Sequence, residues 1–440
     1  MDLKQIAEQS LEQCLKSGAQ EAKVTLSKSQ KLAVDWRKGK VETLSNSASS
    51  SIVFSIYANG RYAVHQSSDL RAEALQSFIP RIVELTRLLE PDEFRKLAPK
   101  DLVSSTSAED IAQLQIYDKA IENISSDDCY DILRTLEAQS FDSSLPIIDV
   151  SASISTNTGT SHSVHSNGFS STEQRSRISA YTELTLQDPS GKRPNAYFGD
   201  TRRHLVDLMD TAEIAKEAQR YAAYTLEQVK LPSGKTTLLF DRRVATTLIS
   251  RYLTPIFGSD IQQKRSYFEG KLGKKIAVPA LTIVDDPHIV RGLASKLSDG
   301  DGFLSVARPV IEAGELKNYF IDYYYSLKLG VDPTTGSFSN LVVQAGSQSQ
   351  AELIAGVDKG IFVTSFLGGN ADRTTGDFSY GIAGVAIEGG KLTQNVSEMN
   401  FSGNYNELFL KLSAIGNDPM LSYSVRTPTL RFDDVDVSGA

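Results

Sequence analysis

Cysteine and histidine are scarce in this chain, and their scarcity excludes several chemistries at once. Two cysteines in 440 residues, Cys14 and Cys129, with no CxxC pair, rule out a disulfide scaffold and a thiolate zinc cluster and fit a reducing cytosol. The five histidines (His65, His162, His165, His204 and His288) are scattered, and none is followed by Glu. A zinc hydrolase helix needs two histidines on one face and a carboxylate to activate water; no HExxH and no GxSxG elbow occurs. Long apolar runs are also missing. No stretch of about 18 apolar residues is present to span a bilayer, and the opening MDLKQIAEQSLEQCLKSG lacks the apolar region of a signal peptide. The expectation is a cytoplasmic protein with no membrane role. Nor is there an excess of basic charge: 46 Lys and Arg against 54 Asp and Glu leave a net charge of -8, which repels phosphate and argues against direct nucleic-acid binding.

What the chain does contain is ordinary globular material, with 40% hydrophobic residues and 30 glycines. Its length suggests roughly two or three domains. Leu3, Ile6, Ala7, Leu11, Cys14 and Leu15 recur at helical spacing before Gly18, so Cys14 reads as a small core residue. From Lys23 to His65 the period becomes two, with turns at Lys38-Gly39 and Asn59-Gly60, which predicts about four antiparallel strands. Asp69 is expected to cap a following helix that Pro80 disturbs. The stretch from Pro91 to Thr106 carries two prolines, many charges and no periodicity, and reads as a linker. Ser107 opens one helix through Ile124, and a second carries Cys129, Ile132, Leu133 and Leu136. Between Ile147 and Leu186 alternation returns, with turns expected at Asn157-Thr158-Gly159 and Asn167-Gly168; a helix over Thr211–Val229 follows. Beyond Pro232 come a strand at Thr236–Phe240, a helix at Val244–Leu253, and strands at Ala280–Val284, Val306–Glu312, Asn318–Tyr325, Ile361–Phe366, Tyr380–Glu388 and Lys391–Val396. The order helix, antiparallel strands, helix occurs twice before a strand-dense third region. This predicts an α+β fold with units at 1–95, 96–230 and 231–440, the last a large, mostly antiparallel sheet or partial barrel.

Several local patterns mimic functional motifs. Leu231-Pro-Ser-Gly-Lys-Thr236 resembles the end of a phosphate-binding loop, but Val229 stands where the first glycine is needed and a strand follows instead of a helix, so it reads as a turn. His162 and His165, three apart on a strand, face opposite sides and are expected to be exposed. Asp299-Gly-Asp-Gly302 and Asp285-Asp-Pro-His288 lack the further oxygens of a calcium cage. The aromatic run Tyr319, Phe320, Tyr323, Tyr324 and Tyr325 reads as sheet packing, with a peptide groove as the alternative.

Taken together, a set of phrases carries a resemblance. Leu293-Ala-Ser295 with Asp299-Gly-Asp-Gly302, Arg308-Pro-Val-Ile311, Gly314-Glu-Leu316 and Tyr325-Ser-Leu-Lys-Leu-Gly330 form one block. Gly368-Gly-Asn370, Thr375-Gly-Asp-Phe-Ser379, Gly381-Ile-Ala-Gly384 and Ile387-Glu-Gly-Gly-Lys-Leu392 form a second, and Gly416-Asn-Asp418 closes the series. In this order and spacing the chain resembles the TldD/PmbA family, once called modulators of DNA gyrase; Asn167-Gly168 matches as well. The resemblance implies a cytosolic, two-subunit metalloprotease acting on unfolded or short peptides. Its TldD-type subunit carries an HExxxH zinc helix and a later cysteine ligand, and its PmbA (TldE)-type subunit lacks them. Here Thr247, Leu248 and Tyr252 fall where His, Glu and His would stand, and Gly416-Asn-Asp-Pro419 occupies the region of the cysteine. The resemblance therefore implies a PmbA/TldE-like chain that binds no metal or cofactor itself and has no catalytic residue, with zinc on a TldD-type partner in a heterodimer. Gly376, Asp377, Phe378, Ser379, Gly384, Asn417 and Asp418 are its candidates for a peptide groove, reached by strand addition. Two alternatives stay open: a stand-alone homodimer that binds peptide without catalysis, and a metalloprotease whose metal is held by distant residues such as His162, His204 and Asp285.

Overall fold

In the computed structural model, which describes residues 2–439, alternation and turn chemistry build the amino-terminal half. Helix α1 (Leu3–Lys16) precedes strands β1 (Glu21–Arg37), β2 (Lys40–Ala58) and β3 (Arg61–Ser67), and α2 (Ala72–Thr86) follows. Three strands stand where about four were expected. Both turns form as read, with positive φ at Lys38 and Gly39 and at Asn59 and Gly60, the geometry of a tight hairpin that matches strand twist. Asp69 does not cap α2. Arg71 occupies the cap position, and the Asp69 carboxylate instead accepts the Arg71 backbone N–H at 3.0 Å. Pro80 lies inside α2 without ending it.

The next segment forms α3 (Ala108–Gln113), α4 (Lys119–Glu122), α5 (Ser126–Ser140), β4 (Ile147–His165), β5 (Ser170–Leu186), β6 (Asn195–Arg202) and α6 (Thr211–Ala223). The single helix expected from Ser107 to Ile124 is broken, because Gln115 takes a left-handed φ of 48°. No turn forms at Asn157-Thr158-Gly159; β4 runs straight through, paired on one side with β1 at Lys31 and on the other with β5 at Arg177. The sole reversal is at Asn167-Gly168, where the Asn167 side chain accepts the Phe169 N–H at 3.2 Å.

These strands make one antiparallel sheet in the order β3-β2-β1-β4-β5-β6. The central β1–β4 pairing, Lys23 to Arg37 against His165 to Ser151, thus joins the first two expected units across the presumed linker. That linker is itself anchored, with Leu97 N–H on the Glu21 carboxylate at 2.8 Å and Ser104 N–H on the Gly302 carbonyl at 3.1 Å. Even-numbered β1 residues such as Val24, Leu26 and Val34 are fully buried in two clusters, one with α1 and α2 and the other with α5 and α6. The opposite face carries hydroxyls, with Thr25 and Ser163 hydrogen-bonded at 2.9 Å.

The third region contains β7 (Gly234–Phe240), α7 (Arg242–Tyr252), α8 (Gly258–Gln262), β8 (Ile283–Asp286), β9 (Arg308–Glu312), β10 (Glu315–Leu316), α9 (Tyr323–Leu329), β11 (Asn340–Val343), α10 (Gln350–Ala355), β12 (Lys359–Ala371), β13 (Asp377–Glu388), β14 (Lys391–Asn404), α11 (Tyr405–Leu408), β15 (Leu412–Ile415), β16 (Val425–Arg426) and β17 (Leu430–Ser438). One sheet runs β10-β9-β8-β11-β16. The other runs β14-β13-β12-β7-β17-β15 and closes on itself through β14–β17, which makes the partial barrel the sequence suggested. The expected strand Asn318–Tyr325 is absent. Asp322 caps α9 through the Tyr325 N–H, and Gly330 ends it in a left-handed conformation, so the three consecutive tyrosines lie on a helix. Among the described residues no helix is long and apolar enough to cross a membrane.

Candidate functional site at helix α7

Helix α7 starts directly after barrel strand β7. Its cap, Asp241, is fully buried and accepts from the Arg243 N–H at 3.0 Å, the Tyr221 hydroxyl at 2.9 and 3.0 Å and Gln350 at 3.3 Å. The buried stripe of the helix carries Leu248, fully enclosed, and Tyr252, 1% exposed; Thr247 is half-buried. Tyr252 is the centre of an aromatic cluster. Its ring stacks on Phe409 at 3.8 Å between centroids, with Phe268 at 5.3 Å, Tyr405 at 5.7 Å and Tyr267 at 6.2 Å. Burial holds its phenol well above the usual range. A hydroxyl, an alkyl chain and an enclosed phenol offer neither imidazole nor thiolate, so these three positions do not fit a zinc ion. Among the described residues no three His, Cys, Asp or Glu side chains gather in a metal-binding group.

At the carboxy-terminal end of α7 a cavity of about 180 Å³ opens beside this cluster, lined by Arg251, Tyr267, Tyr380, Tyr405, Arg373 and the chain from Gly369 to Asp372. The Arg251 guanidinium lies 4.5 Å from the ring centre of Phe366 and 4.3 Å from that of Tyr380. Tyr380 and Tyr405 share a hydrogen bond of 2.9 Å between their hydroxyls. Among the described residues, the adjacent stretch of β12 has a free edge. Strand β7 pairs only with Gly360 to Val363, whereas Leu367 to Ala371 are exposed and bonded on the β13 side alone.

The residues expected in a peptide groove fall in three places. Gly376 to Ser379 lie beside the cavity: Tyr405 N–H donates to the Gly376 carbonyl at 2.9 Å, and Phe378 packs on Tyr405 at 4.8 Å with only 5% exposure. Hydrogen bonds from Asn404 and Thr375 hold the Asp377 carboxyl below its ordinary range, and Ser379 donates to Asn400 at 3.1 Å. Gly384 is in mid-strand, where a Cβ would come within 1.9 Å of the Phe362 carbonyl oxygen; its smallness serves the β12–β13 contact. Asn417 and Asp418 stand near the opposite end of α7. Asn417 donates to the Ser347 carbonyl at 3.2 Å, and Asp418 accepts from Thr429 N–H at 2.9 Å and from Gln350 at 3.4 Å, the same Gln350 that reaches Asp241. An eleven-residue helix, about 16 Å long, lies between the two groups. Arg251, Arg373 and Tyr405 were not picked out in the sequence; the one signal was Arg251 itself, a cation adjoining the degenerate motif position Tyr252.

The other candidates are dispersed. His162 and His165 do face opposite sides of β4, but both are buried, at 1% and 3% exposure: His162 sits on the apolar face opposite Leu26, and His165 lies on the hydroxyl face where Phe169 and the Lys296–Gly300 loop approach it. His162 bonds Thr172 at 2.7 Å. His165 packs on Phe169 at 4.6 Å and lines a cavity of about 360 Å³ between the hydroxyl face of the sheet and the Lys296–Gly300 loop; burial pushes its pKa down to about 3. His204 bonds the Gln115 carbonyl at 2.8 Å. Asp285 is 2% exposed and accepts from Ser339 N–H and hydroxyl at 2.7 and 2.6 Å. The structure does not assemble His162, His204 and Asp285 into one site. Leu231-Pro-Ser-Gly-Lys-Thr236 forms no phosphate loop, but it is less of a turn than expected: β7 begins at Gly234, so the last three residues of the phrase are already strand.

A barrel closed through β14–β17, with a helix launched from β7, is thus the frame of the candidate site. Models of the PmbA/TldA metallopeptidase domain 1, central domain and C-terminal domain match residues 22–85, 119–226 and 233–439. A protein named as a modulator of DNA gyrase from Bacteroides thetaiotaomicron superposes with a TM-score of 0.95 at 35% identity, covering 99% of both chains. The metalloprotease PmbA of Escherichia coli O157:H7 is 24% identical over 95% of this chain and 92% of its own. TldE from Thermococcus kodakarensis shares the fold with a TM-score of 0.85 at 19% identity, over 99% of this chain and 100% of its own. The chain belongs to the PmbA/TldD metallopeptidase family.

Proposed function

We propose that this protein is the non-catalytic, TldE-like subunit of a heteromeric metalloprotease, pairing with a zinc-bearing TldD-type homologue and helping to hold an unfolded or short peptide. The observation that carries this reading is the filling of α7: Leu248 and Tyr252 are core residues of an aromatic cluster, at the positions where the family resemblance assigns a general base and a metal ligand. Leu248 has no group able to take a proton from water. The free edge of β12 supports the peptide role, because main-chain hydrogen bonding to an added strand suits any sequence. Native mass spectrometry of the chain, alone and mixed with a TldD-type homologue in the presence of zinc, tests the reading. A metal-free chain that joins the homologue one-to-one is the expected result. A stoichiometric metal ion on this chain alone, or a homodimer that ignores the homologue, would overturn it.

A further inference from the structure

We propose that the cavity at the carboxy-terminal end of α7 captures the free α-carboxylate of a peptide, with Arg251 as its principal cation and Arg373 as a second. This rests on the peptide-binding reading above and adds to it the part of the peptide that is recognised.

The Arg251 Nη1 is buried and has no hydrogen-bond partner among the described residues. A buried donor left unpaired is costly, and a guanidinium fork finds its best complement in a carboxylate. Contact with Phe366 and Tyr380 fixes the plane of that fork before any ligand arrives, so little side-chain freedom is lost on binding. Of the acidic groups nearby, Asp372 is engaged elsewhere, accepting the backbone N–H groups of Thr374 and Thr375 at 2.7 and 3.1 Å; Asp260 faces Arg373 at 3.8 Å and offsets part of its charge, which makes Arg373 the weaker of the two cations. Of the paired hydroxyls of Tyr380 and Tyr405, one donates to the other and the second keeps a proton to give.

The cavity also lies at the right place on the sheet. A strand added to the free edge of β12 and running parallel to it ends beside Gly369 to Ala371, which line the cavity. At about 180 Å³ the space is smaller than the roughly 300–1,000 Å³ of drug-sized sites, and suits one terminal residue better than a chain passing through.

The test is fluorescence anisotropy with two labelled, unstructured octapeptides, identical except that one ends in a carboxylate and the other in a carboxamide, titrated with the full chain and with its complex with the TldD-type homologue. The free acid is expected to bind at least about tenfold more tightly, the scale of a charge-assisted hydrogen bond. Arg251→Gln should bring the ratio to near one, and Arg373→Gln should lower it part of the way. Because the acid/amide ratio is read first on the unaltered protein, it does not depend on the variants folding. Equal binding of both peptides would overturn the carboxylate inference and leave the peptide-binding role standing; no binding of either would overturn both.

Discussion

The amino-terminal sheet and the carboxy-terminal barrel bury their polar and apolar groups in opposite ways. In the sheet, four of the five pairings join strands consecutive in sequence. One face is apolar beneath helices, and the other is a half-buried surface of hydroxyls and charges around a cavity. In the barrel, β7 pairs with β17 at the far end of the chain, and the interior is aromatic, with Phe240 touching Phe401 and Phe432 at 5.4 and 5.6 Å. A polar face accepts exchanges of hydroxyl for hydroxyl with little consequence, whereas an aromatic core responds to each lost ring. The metal-helix positions lie in the second environment. Tyr252 therefore supports the fold at a place where the family resemblance would put chemistry.

The sharpest way to break this contrast is Tyr252→Ala, which leaves a void among Phe409, Phe268, Tyr405 and Tyr267. It should cost about 3–5 kcal/mol in urea unfolding, against less than about 1 kcal/mol for Thr25→Ala on the hydroxyl face. Equal losses would erase the distinction. Gly384→Val drives a side chain against the Phe362 carbonyl and should cost up to about 3 kcal/mol. Unchanged stability would return Gly384 to the list of groove residues.

Acid should act on the sheet first. His165 is held neutral by burial, with a folded pKa of about 3 against 6.5 for the free group; the Lys23–Asp301 ion pair lies beside it. Between these values the unfolded chain binds the extra proton, so stability falls as pH drops below about 6.5, by about 1.4 kcal/mol per unit. Unfolding free energy at pH 5 should lie about 2 kcal/mol below that at pH 7 on account of this group, and His165→Gln should flatten the difference. A variant with the wild-type slope would show that other groups control it. Smallest is Lys23→Met, which removes the 2.7 Å ion pair to Asp301 between the sheet and the third region. A loss of about 1 kcal/mol is expected, with faster proteolysis of the 296–302 loop as an independent readout; resistance equal to wild type would show that the pair does not hold the loop.

Local chemistry was legible where it acts alone. Lys38-Gly39 and Asn59-Gly60 turn as read, with positive φ at every position, and α5 buries Cys129, Leu133 and Leu136 as its spacing requires. Reading failed where a distant strand overrode a local signal. Asn157-Thr-Gly159 has turn composition, but β1 and β5 bond it from both sides. The aromatic run through Tyr323, Tyr324 and Tyr325 has the composition of a strand, but Asp322 and Gly330 cap these three tyrosines as a helix. Of the candidate site, the degenerate positions Thr247, Leu248 and Tyr252 could be named from the family resemblance, while Arg251, Arg373 and the Tyr380–Tyr405 pair could not. Nothing in a one-dimensional pattern brings β12, α11 and the end of α7 to one cavity.

The sequence by itself determined the α+β class, the family phrases, and the absence of a histidine–glutamate pair on the helix after β7, since each depends on residue type and short spacing. Only the tertiary structure decided that the first two units share a sheet, that His162 and His165 are buried, and that the expected groove residues separate into the two ends of α7 and, for Gly384, the middle of the β12–β13 pairing. Those outcomes depend on pairings between segments more than a hundred residues apart, whose energies come from burial and register, and no local window contains them.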